Sequence, residues 1–289
     1  MIIEKKRLQE TISAVEQGLA SIQSLMADVK LMTWFADDFA LRFCWSSNAI
    51  EGNTLSLDET VALVEYDEVR AGHTYSEYQD AKNLYHAICT SMIPFHVESI
   101  TEGWIKENNR LLRGIDGEYR TEDNRVGTEI ETSYYPPHYD RVPALMKDFI
   151  ATVNFNRDGL YAFFEQITRV HLTFEQIHPF MDGNGRVGRM ILNQQLLNNG
   201  LLPVTLNKNS GYRQAFKHYN RNKDLSLLMY EILKGELDAI NRLQALEQKR
   251  QQGLNWDPKM TLEAKIEAAG KLQAEYESKQ PVGNTREER

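Results

Sequence analysis

The sequence predicts a mainly α-helical, all-α fold, and three observations support this prediction. Apolar residues recur at steps of three and four along residues 1–30 and again along residues 160–177, which is the period of an amphipathic helix. Glycines and prolines are concentrated between residues 114 and 143, where Thr132 and Tyr134 favour extended backbone. We therefore expect a bundle of helices that is interrupted by one long loop with a short β-hairpin.

The N-terminal helices are predicted from apolar spacing and from capping signals. Residues 1–30 form one amphipathic helix, and a second helix covers residues 31–45. The short segment after it stops at Gly52, as the C-terminus of a helix would. Ser56 and Glu59 then have the spacing of a capping box, which opens another helix. The apolar stripe of the first helix contains Leu8, Ile12, Val15, Leu19, Ile22 and Met26.

The remaining helices are expected in the middle and C-terminal parts of the chain. They lie at two positions within residues 78–113, and over residues 160–177, 186–199, 210–220 and 225–246. Residues 253–258 have the composition of a linker, and residues 260–278 could form one more helix. Residues 280–289 are charged and rich in small side chains, so we expect them to be disordered.

The overall composition narrows the classes of function. The chain has 289 residues, with 33 Lys and Arg against 41 Asp and Glu, so its formal net charge is -8. General nucleic-acid binding needs a basic surface, so we expect no nucleic-acid partner and only a local site for phosphate. No apolar run approaches the roughly 18 residues of a membrane span, and the polar N-terminus has no signal-peptide stretch. The expected location is therefore the cytoplasm, with no membrane partner.

One segment between two predicted helices has the composition of an anion-binding loop. Gly183 and Gly185 flank Asn184, and glycine lets the backbone adopt positive φ and approach a ligand closely. The loop leads into a helix N-terminus, where unpaired N–H groups and the helix dipole favour an anion. Arg186 and Arg189 are three residues apart, so both project from one face of the first turn. Two arginines oppose the helix dipole there, which indicates a polyphosphate ligand.

Two further residues of this segment suggest chemistry at that ligand. Asp182 would repel an anion unless a cation lies between them, and Mg²⁺ uses one or two carboxylates together with substrate phosphates. His178 ends the preceding helix, and a neutral histidine beside an activated phosphate is a candidate general base. The segment lacks the Gly-Lys-Ser/Thr of a Walker A loop, and two ligands are too few for Zn²⁺. Either piece alone would indicate an ordinary turn or a packing histidine, whereas their combination with both arginines favours a functional site.

Residues 178–189 match the signature of a known family at every specified position. The segment His178-Pro-Phe-Met-Asp-Gly-Asn-Gly-Arg-Val-Gly-Arg189 resembles the Fic (filamentation induced by cAMP) motif, and the resemblance extends over residues 100–205. It implies a Fic-type helical bundle with a short β-hairpin flap within residues 126–135. It also implies protein AMP transfer from ATP to a Ser, Thr or Tyr hydroxyl of a target protein, and the chain itself is among the possible targets.

The resemblance implies a role for each residue of the motif. His178 would deprotonate the target hydroxyl, and Asp182 would hold Mg²⁺ between the α- and β-phosphates of ATP. Arg186 would contact the β-phosphate, and Arg189 would contact the γ-phosphate. Such chemistry depends mainly on positioning and charge neutralisation, which these residue types supply. The other phosphate contacts would come from Asn184 and from the N–H groups of Gly183 and Gly185.

Residues 46–53 contain a second, shorter motif. They resemble the inhibitory sequence (Ser/Thr)-x-x-x-Glu-(Gly/Asn) that one Fic subclass carries N-terminal to its core. The resemblance implies that Glu51 pairs with Arg189 and competes with the γ-phosphate of ATP for the same guanidinium. Ser47 lies one turn earlier and would share the face of Glu51. The alternative is an ordinary Glu-Gly-Asn turn at the end of a helix.

Residues outside the two motifs carry weaker signals. His171 follows the apolar stripe of its helix, so we expect it to be a structural histidine. Tyr212, Arg213 and Tyr219 lie where the Fic family usually places its nucleoside contacts. The resemblance makes each of these three side chains a candidate nucleoside contact.

The predicted organisation has three parts. Residues 1–95 form an N-terminal helical region with the inhibitory motif, residues 96–248 form the Fic catalytic core, and residues 249–289 form a helical extension and tail. Alternatives to AMP transfer remain open: removal of AMP with Glu51 positioning a water, transfer of another phosphate-linked group, kinase-like phosphorylation, or a non-enzymatic partner module. The intact motif weakens the kinase and partner-module alternatives. The sequence leaves the oligomeric state open.

Overall fold

The computed structural model describes residues 3–253, apart from residues 96, 115, 128–131 and 210. This part of the chain is mainly helical, which confirms the predicted fold class. The predicted helix at residues 260–278 and the tail at residues 280–289 lie outside the described residues, as does nearly all of the predicted linker. The helices are α1 (Lys5–Met26), α2 (Val29–Ile50), α3 (Leu57–Tyr66), α4 (Tyr75–Ser91), α5 (Glu102–Arg113), α6 (Val142–Val153), α7 (Leu160–Ile177), α8 (Asn184–Asn198), α9 (Tyr212–Asn222) and α10 (Ser226–Gln251).

The N-terminal helix packs along the last described helix. Helices α1 and α10 approach each other closely at Gly18 because glycine has no side chain. A Cβ atom at this position would lie only 2.9 Å from Ile240 Cδ1 on α10. Arg7 Nη2 also donates a hydrogen bond of 2.7 Å to the hydroxyl of Tyr230. The apolar stripe predicted from the spacing faces inward, and its buried members are Leu8, Ile12, Val15 and Ile22. Chain segments that are distant in sequence are therefore held together by one amphipathic face.

Helix α2 is longer than the sequence indicated, because it continues to Ile50 instead of ending near residue 45. The side chain of Asp28 caps its N-terminus by accepting a hydrogen bond from Leu31 N–H. Glu51 follows the last helical residue, and Gly52 adopts a φ of 104° that ends the helix. Contacts with α4 and α8 direct this end of α2 toward the middle of the molecule.

Helix α6 occupies residues that the sequence interpretation left without an element. Pro143 reads as a helix breaker, but it lies in the first turn, where its missing N–H is not needed. Buried residues then recur at helical spacing along α6 and pack on α7. They are Val142, Met146, Phe149 and Val153.

The extended segment that the sequence predicts contains two short strands. Strand β1 (Val126–Gly127) pairs antiparallel with strand β2 (Thr132–Tyr134), with Val126 opposite Tyr134. Residues 128–131 between them lie outside the described part of the chain. The two strands agree with the predicted hairpin, and its role as a flap remains a prediction.

Helices α7 and α8 form the centre of the molecule. Both main apolar clusters include residues from these two helices, and their buried positions surround the loop that joins them. Helices α2, α5 and α6 pack around this pair. Within the described residues, every helix is either too short or too polar to cross a lipid bilayer. The predicted anion-binding loop therefore lies between two buried, well-supported helices.

Candidate active site

The loop between α7 and α8 begins and ends with left-handed backbone. His178 follows the last residue of α7 with a φ of 49°, and its N–H donates to Phe174 O at 2.9 Å. Positive φ is uncommon for a residue other than glycine and often marks functional positions. Gly183 precedes α8 with a φ of 85°, and a Cβ atom there would lie 2.9 Å from Asn109 Nδ2. Glycine is therefore required at this position by both backbone conformation and space.

The side chain of Asn184 is used to build the loop. Its Oδ1 accepts a hydrogen bond from Phe180 N–H at 2.9 Å, and its Nδ2 donates to Phe180 O at 2.8 Å. Asn109 on α5 adds a bond of 2.9 Å to the carbonyl oxygen of Asp182. Both polar atoms of the Asn184 side chain are thus bonded to the backbone of Phe180 within the loop. The backbone N–H of Asn184 is therefore the group that would bind a ligand.

Gly185 is needed for a different reason than the sequence suggested. It lies inside the first turn of α8 and has no positive φ, whereas the sequence interpretation expected backbone freedom at both glycines. A Cβ atom at this position would collide with Glu51 Oε1 and would approach Arg189 Nη1 to 3.1 Å. The missing side chain of Gly185 therefore leaves room for a carboxylate against the helix N-terminus.

The imidazole of His178 is neutral and has a defined tautomer. Nδ1 lies 3.3 Å from the carbonyl oxygen of Glu175, so this nitrogen carries the proton. Burial lowers the pKa of His178 to about 4, and the charge of Arg120 contributes while the bond to Glu175 opposes the shift. At neutral pH, Nε2 therefore holds a free lone pair, which is the state that a general base requires.

Arg120 clamps the backbone on which His178 lies. Its buried guanidinium donates from Nε to His178 O at 3.0 Å, and its own N–H donates to Pro179 O at 2.9 Å. The sequence interpretation did not assign a role to Arg120, although the residue lies within residues 100–205, over which the resemblance extends. A buried arginine bonded to carbonyl groups on both sides of the His178–Pro179 bond restrains the position of the imidazole.

Each motif arginine is paired with a carboxylate from the N-terminal helices. Arg189 Nη2 lies 2.6 Å from Glu51 Oε1, while its Nε donates to Ser47 Oγ at 2.8 Å. Arg186 Nη1 lies 2.6 Å from Asp80 Oδ1 on α4. Ser47, Glu51 and Arg189 are thus brought together, as the inhibitory motif implied. Asp80 was missed, because no local pattern on α4 marks it.

Asp182 forms ion pairs on the exposed side of the loop. Its Oδ2 lies 2.9 Å from Arg113 Nη1, and its Oδ1 lies 3.7 Å from Arg186 Nη2. Among the described residues, no group of three or more histidine, cysteine, aspartate or glutamate side chains is arranged to hold a metal ion. A single carboxylate fits Mg²⁺ only when substrate phosphates and water complete the coordination. Asp182 borders the N-terminus of α8, so it is the carboxylate that would hold Mg²⁺ together with phosphates bound there.

A further carboxylate lies close to Arg189. Oε1 of Glu175 is buried and has no hydrogen-bond partner among the described residues. Burial raises the pKa of Glu175 to about 7, although the positive charge of Arg189 acts in the opposite direction. A Cβ atom on Gly188 would collide with this oxygen, so glycine is needed where α7 and α8 cross. The sequence contained no signal for this residue.

The fold and the loop define a mainly helical protein in which a neutral histidine and two arginines border a helix N-terminus that follows a glycine loop. Comparison with known proteins makes the class specific: residues 99–196 match the Fic/DOC family, so the chain contains a Fic domain.

Curated relatives extend beyond this domain. The chain is 30% identical over 172 residues to "Protein adenylyltransferase fic-1" of Caenorhabditis elegans, and the alignment covers 57% of this chain and 33% of that protein. It is 26% identical over 213 residues to "Protein adenylyltransferase Fic" of Culex quinquefasciatus, and that alignment covers 71% of this chain and 41% of that protein. The chain thus spans less than half the length of these curated relatives.

Solved structures share the same fold. A Fic-domain-containing signalling protein from Bacteroides thetaiotaomicron superposes with a TM-score of 0.63 at 24% identity, over 86% of this chain and all of that chain. Fic-1 from C. elegans superposes with a TM-score of 0.65 at 22% identity, over 82% of this chain and 74% of that chain. The similarity therefore covers the helices outside the Fic domain as well as those within it.

Proposed function

We propose that this chain is a protein adenylyltransferase, which transfers AMP from ATP to a hydroxyl side chain of a target protein. The proposal depends most on His178, a neutral imidazole directly before a loop that leads into a helix N-terminus with two arginines. A polyphosphate bound there would lie beside a base that is ready to accept a proton. The names of the relatives from C. elegans and C. quinquefasciatus agree with this chemistry.

In the proposed reaction, the target hydroxyl oxygen attacks the α-phosphorus of ATP. A bond forms between that oxygen and the α-phosphorus, and the bond from the α-phosphorus to the pyrophosphate oxygen breaks. The hydroxyl proton moves to Nε2 of His178, which is the unprotonated nitrogen because Nδ1 faces Glu175 O. The products are the AMP-modified target and pyrophosphate. Arg120 keeps the imidazole in place through its bonds to the loop backbone.

The remaining motif residues bind and neutralise the phosphates in this proposal. Asp182 would hold Mg²⁺, which supplies positive charge against the phosphate oxygens. Arg186 binds the β-phosphate and Arg189 binds the γ-phosphate, so each must exchange a carboxylate partner for a phosphate. The start of α8 would contribute the backbone N–H groups of Asn184 and Gly185, and that of the preceding Gly183 would exchange its bond to Asp182 Oδ1 for a phosphate.

Glu51 and Ser47 form the inhibitory part of the proposal. The carboxylate of Glu51 occupies the guanidinium of Arg189, and Ser47 accepts from the same group. Local desolvation disfavours the charged form of Glu51, but the charge and hydrogen bond of Arg189 dominate and lower its pKa. The carboxylate is therefore ionised at neutral pH and competes directly with the γ-phosphate for Arg189.

The remaining parts of the chain receive roles that follow from this site. Residues 1–95 form the regulatory helical region, residues 96–248 form the catalytic core, and residues 249–289 form an extension. Strands β1 and β2 would form the flap that holds an extended target segment by strand addition. The partners are ATP and a protein with an accessible hydroxyl, which includes another copy of this chain.

The test uses ATP labelled on the α-phosphate and, in parallel, ATP labelled on the γ-phosphate. The Glu51→Gly variant, which lacks the proposed inhibitor, is incubated with Mg²⁺ and each ATP, with Glu51→Gly/His178→Ala as the matched control. We expect the protein to be labelled from the α-position alone, and we expect mass spectrometry to show an AMP adduct. In the control, the rate of label transfer should fall by on the order of a hundred- to ten-thousand-fold. Label from the γ-position would indicate phosphorylation instead, and no label from either position would overturn the proposed activity.

A further inference from the structure

Two buried polar side chains that the proposed mechanism does not use lie against Arg189. His171 on α7 and Tyr212 at the start of α9 are both almost completely buried. The guanidinium carbon of Arg189 lies 5.9 Å from the centre of the Tyr212 ring, so the ring faces the charged group. Three helices thus meet at a single guanidinium, which the proposed function assigns to the γ-phosphate.

The direction of each hydrogen bond in this group can be derived. His171 Nδ1 lies 3.1 Å from Gly188 O, and because a carbonyl oxygen can only accept, Nδ1 carries the proton. Burial and the charge of Arg189 lower the pKa of His171 to about 3, so the ring is neutral. Nε2 is therefore an acceptor, and it lies 2.8 Å from the Tyr212 hydroxyl, which must donate to it.

This order of donors holds the Tyr212 ring beside Arg189, because the Tyr212 hydroxyl is bonded to His171. The hydrogen bonds of the Arg189 guanidinium go to Ser47 Oγ, Ser47 O and Glu51 Oε1, all on or directly after α2. The partners on α2 belong to the proposed inhibitor, whereas His171 and Tyr212 belong to the helices of the core. If Glu51 yields to a phosphate, the Tyr212 ring still lies beside Arg189.

We propose that His171 and Tyr212 are positioning residues, which orient the Arg189 guanidinium for the γ-phosphate of ATP. His171 holds Tyr212 in place, and the Tyr212 ring in turn holds Arg189. The inference rests on the proposed function, because it takes Arg189 as the γ-phosphate ligand. It also changes the expectation for Tyr212 as a nucleoside contact, because the ring is buried and its hydroxyl is bonded to His171. Arg213 is exposed and Tyr219 is half-buried, so both are more accessible than Tyr212.

The test measures ATP affinity and turnover in the Glu51→Gly background. Tyr212→Phe removes the hydroxyl and keeps the ring, which packs against His171 and Phe216. Because the ring loses the hydrogen bond to His171 that holds it beside Arg189, we expect the KM for ATP to rise about five- to tenfold. The kcat should change less than about twofold, because the γ-phosphate is bound equally in the ground and transition states. The matched control is Tyr230→Phe on α10, which loses a hydrogen bond to Arg7 outside the site and should leave both constants unchanged.

Coupling to Arg189 separates positioning from a purely structural role. His171→Phe should raise the KM for ATP as Tyr212→Phe does. The double variant should show no further increase in KM, because both substitutions remove the same hydrogen bond between His171 and Tyr212. In an Arg189→Ala background, Tyr212→Phe should leave kcat/KM unchanged. A fall in thermal stability without a change in KM, or an equal effect of Tyr212→Phe with and without Arg189, would overturn the inference.

Binding measurements keep this test distinct from that of the proposed activity. Titration calorimetry of the Glu51→Gly protein with a non-hydrolysable ATP analogue reports the dissociation constant whether or not AMP is transferred. If the analogue binds and Tyr212→Phe weakens its binding five- to tenfold, positioning holds even when the protein proves not to be an adenylyltransferase. If the analogue does not bind to the Glu51→Gly protein, both the inference and the proposed function are wrong.

Discussion

Replacing Glu51 by glycine should raise AMP transfer, including modification of the chain itself. Loss of a catalytic carboxylate lowers turnover, whereas loss of a competitor for Arg189 raises it, so the direction of the effect is informative. The contact measures 2.6 Å between a guanidinium that is 3% exposed and a carboxylate that is 42% exposed. A hydrogen bond to a charged group contributes about 1.5–3 kcal/mol, and exposure of Glu51 moves the value to about 1–2 kcal/mol. Productive ATP binding should therefore improve by about five- to thirtyfold.

The assay is the initial rate of label transfer from α-labelled ATP over a range of ATP concentrations. Glu51→Gln serves as the matched variant, because it keeps the length and removes the charge, and it should give an intermediate gain. Arg189→Ala in the Glu51→Gly background should cancel the gain, because the guanidinium is the group that Glu51 releases. The reasoning is refuted if Glu51→Gly leaves AMP transfer unchanged and abolishes removal of AMP from a modified target. Glu51 would then be a catalytic residue.

Three further predictions follow from the charges in the structure. The pKa of His178 is lowered to about 4, and the base acts in its unprotonated form. The acidic side of the pH profile of kcat/KM should therefore stay level from about pH 8 to pH 5.5. A decline of kcat/KM centred near pH 6.5 would contradict the assignment of His178 as a general base with a lowered pKa. Asp182→Ala should leave almost no activity and no response to added Mg²⁺, and a normal Mg²⁺ titration would place the metal elsewhere. Burial raises the pKa of Glu236 from 4.5 to about 8, so the free energy of unfolding should fall as pH rises between these values, because only the unfolded chain releases the proton. Glu236→Gln should therefore be more stable than the parent at pH 8, by up to about 4 kcal/mol, and equally stable near pH 4.5, as thermal unfolding would show.

Features that depend on neighbouring residues were predicted well. Helix α7 has the predicted bounds, Leu160–Ile177, because a strong apolar period and the following proline define both ends locally. The capping box of Ser56 and Glu59 is present as its spacing indicated. The glycine loop before α8 also follows from local sequence, because Gly183 is adjacent to the helix N-terminus, and its binding of an anion stays a prediction.

Some local patterns were misread because tertiary packing changed their meaning. Pro143 indicated a break, yet it begins α6, whose apolar face is stabilised by packing on α7. Gly185 indicated backbone freedom, yet its lack of a side chain makes room for Glu51. In each case the residue type was informative, and its neighbour in space determined the reason for it.

The sequence by itself determined the helical class, the bounds of the central helices and the loop with its histidine, aspartate and arginines. Only the tertiary structure decided which carboxylates meet those arginines: Glu51 lies 138 residues from Arg189, and Asp80 lies 106 residues from Arg186. The resemblance to an inhibitory motif indicated the first pair, and nothing indicated the second. The physical reason is that helix periods and caps arise from hydrogen bonds and contacts within a few residues. A pairing of distant charges exists only after the packing of α2 and α4 around α8 has placed them together.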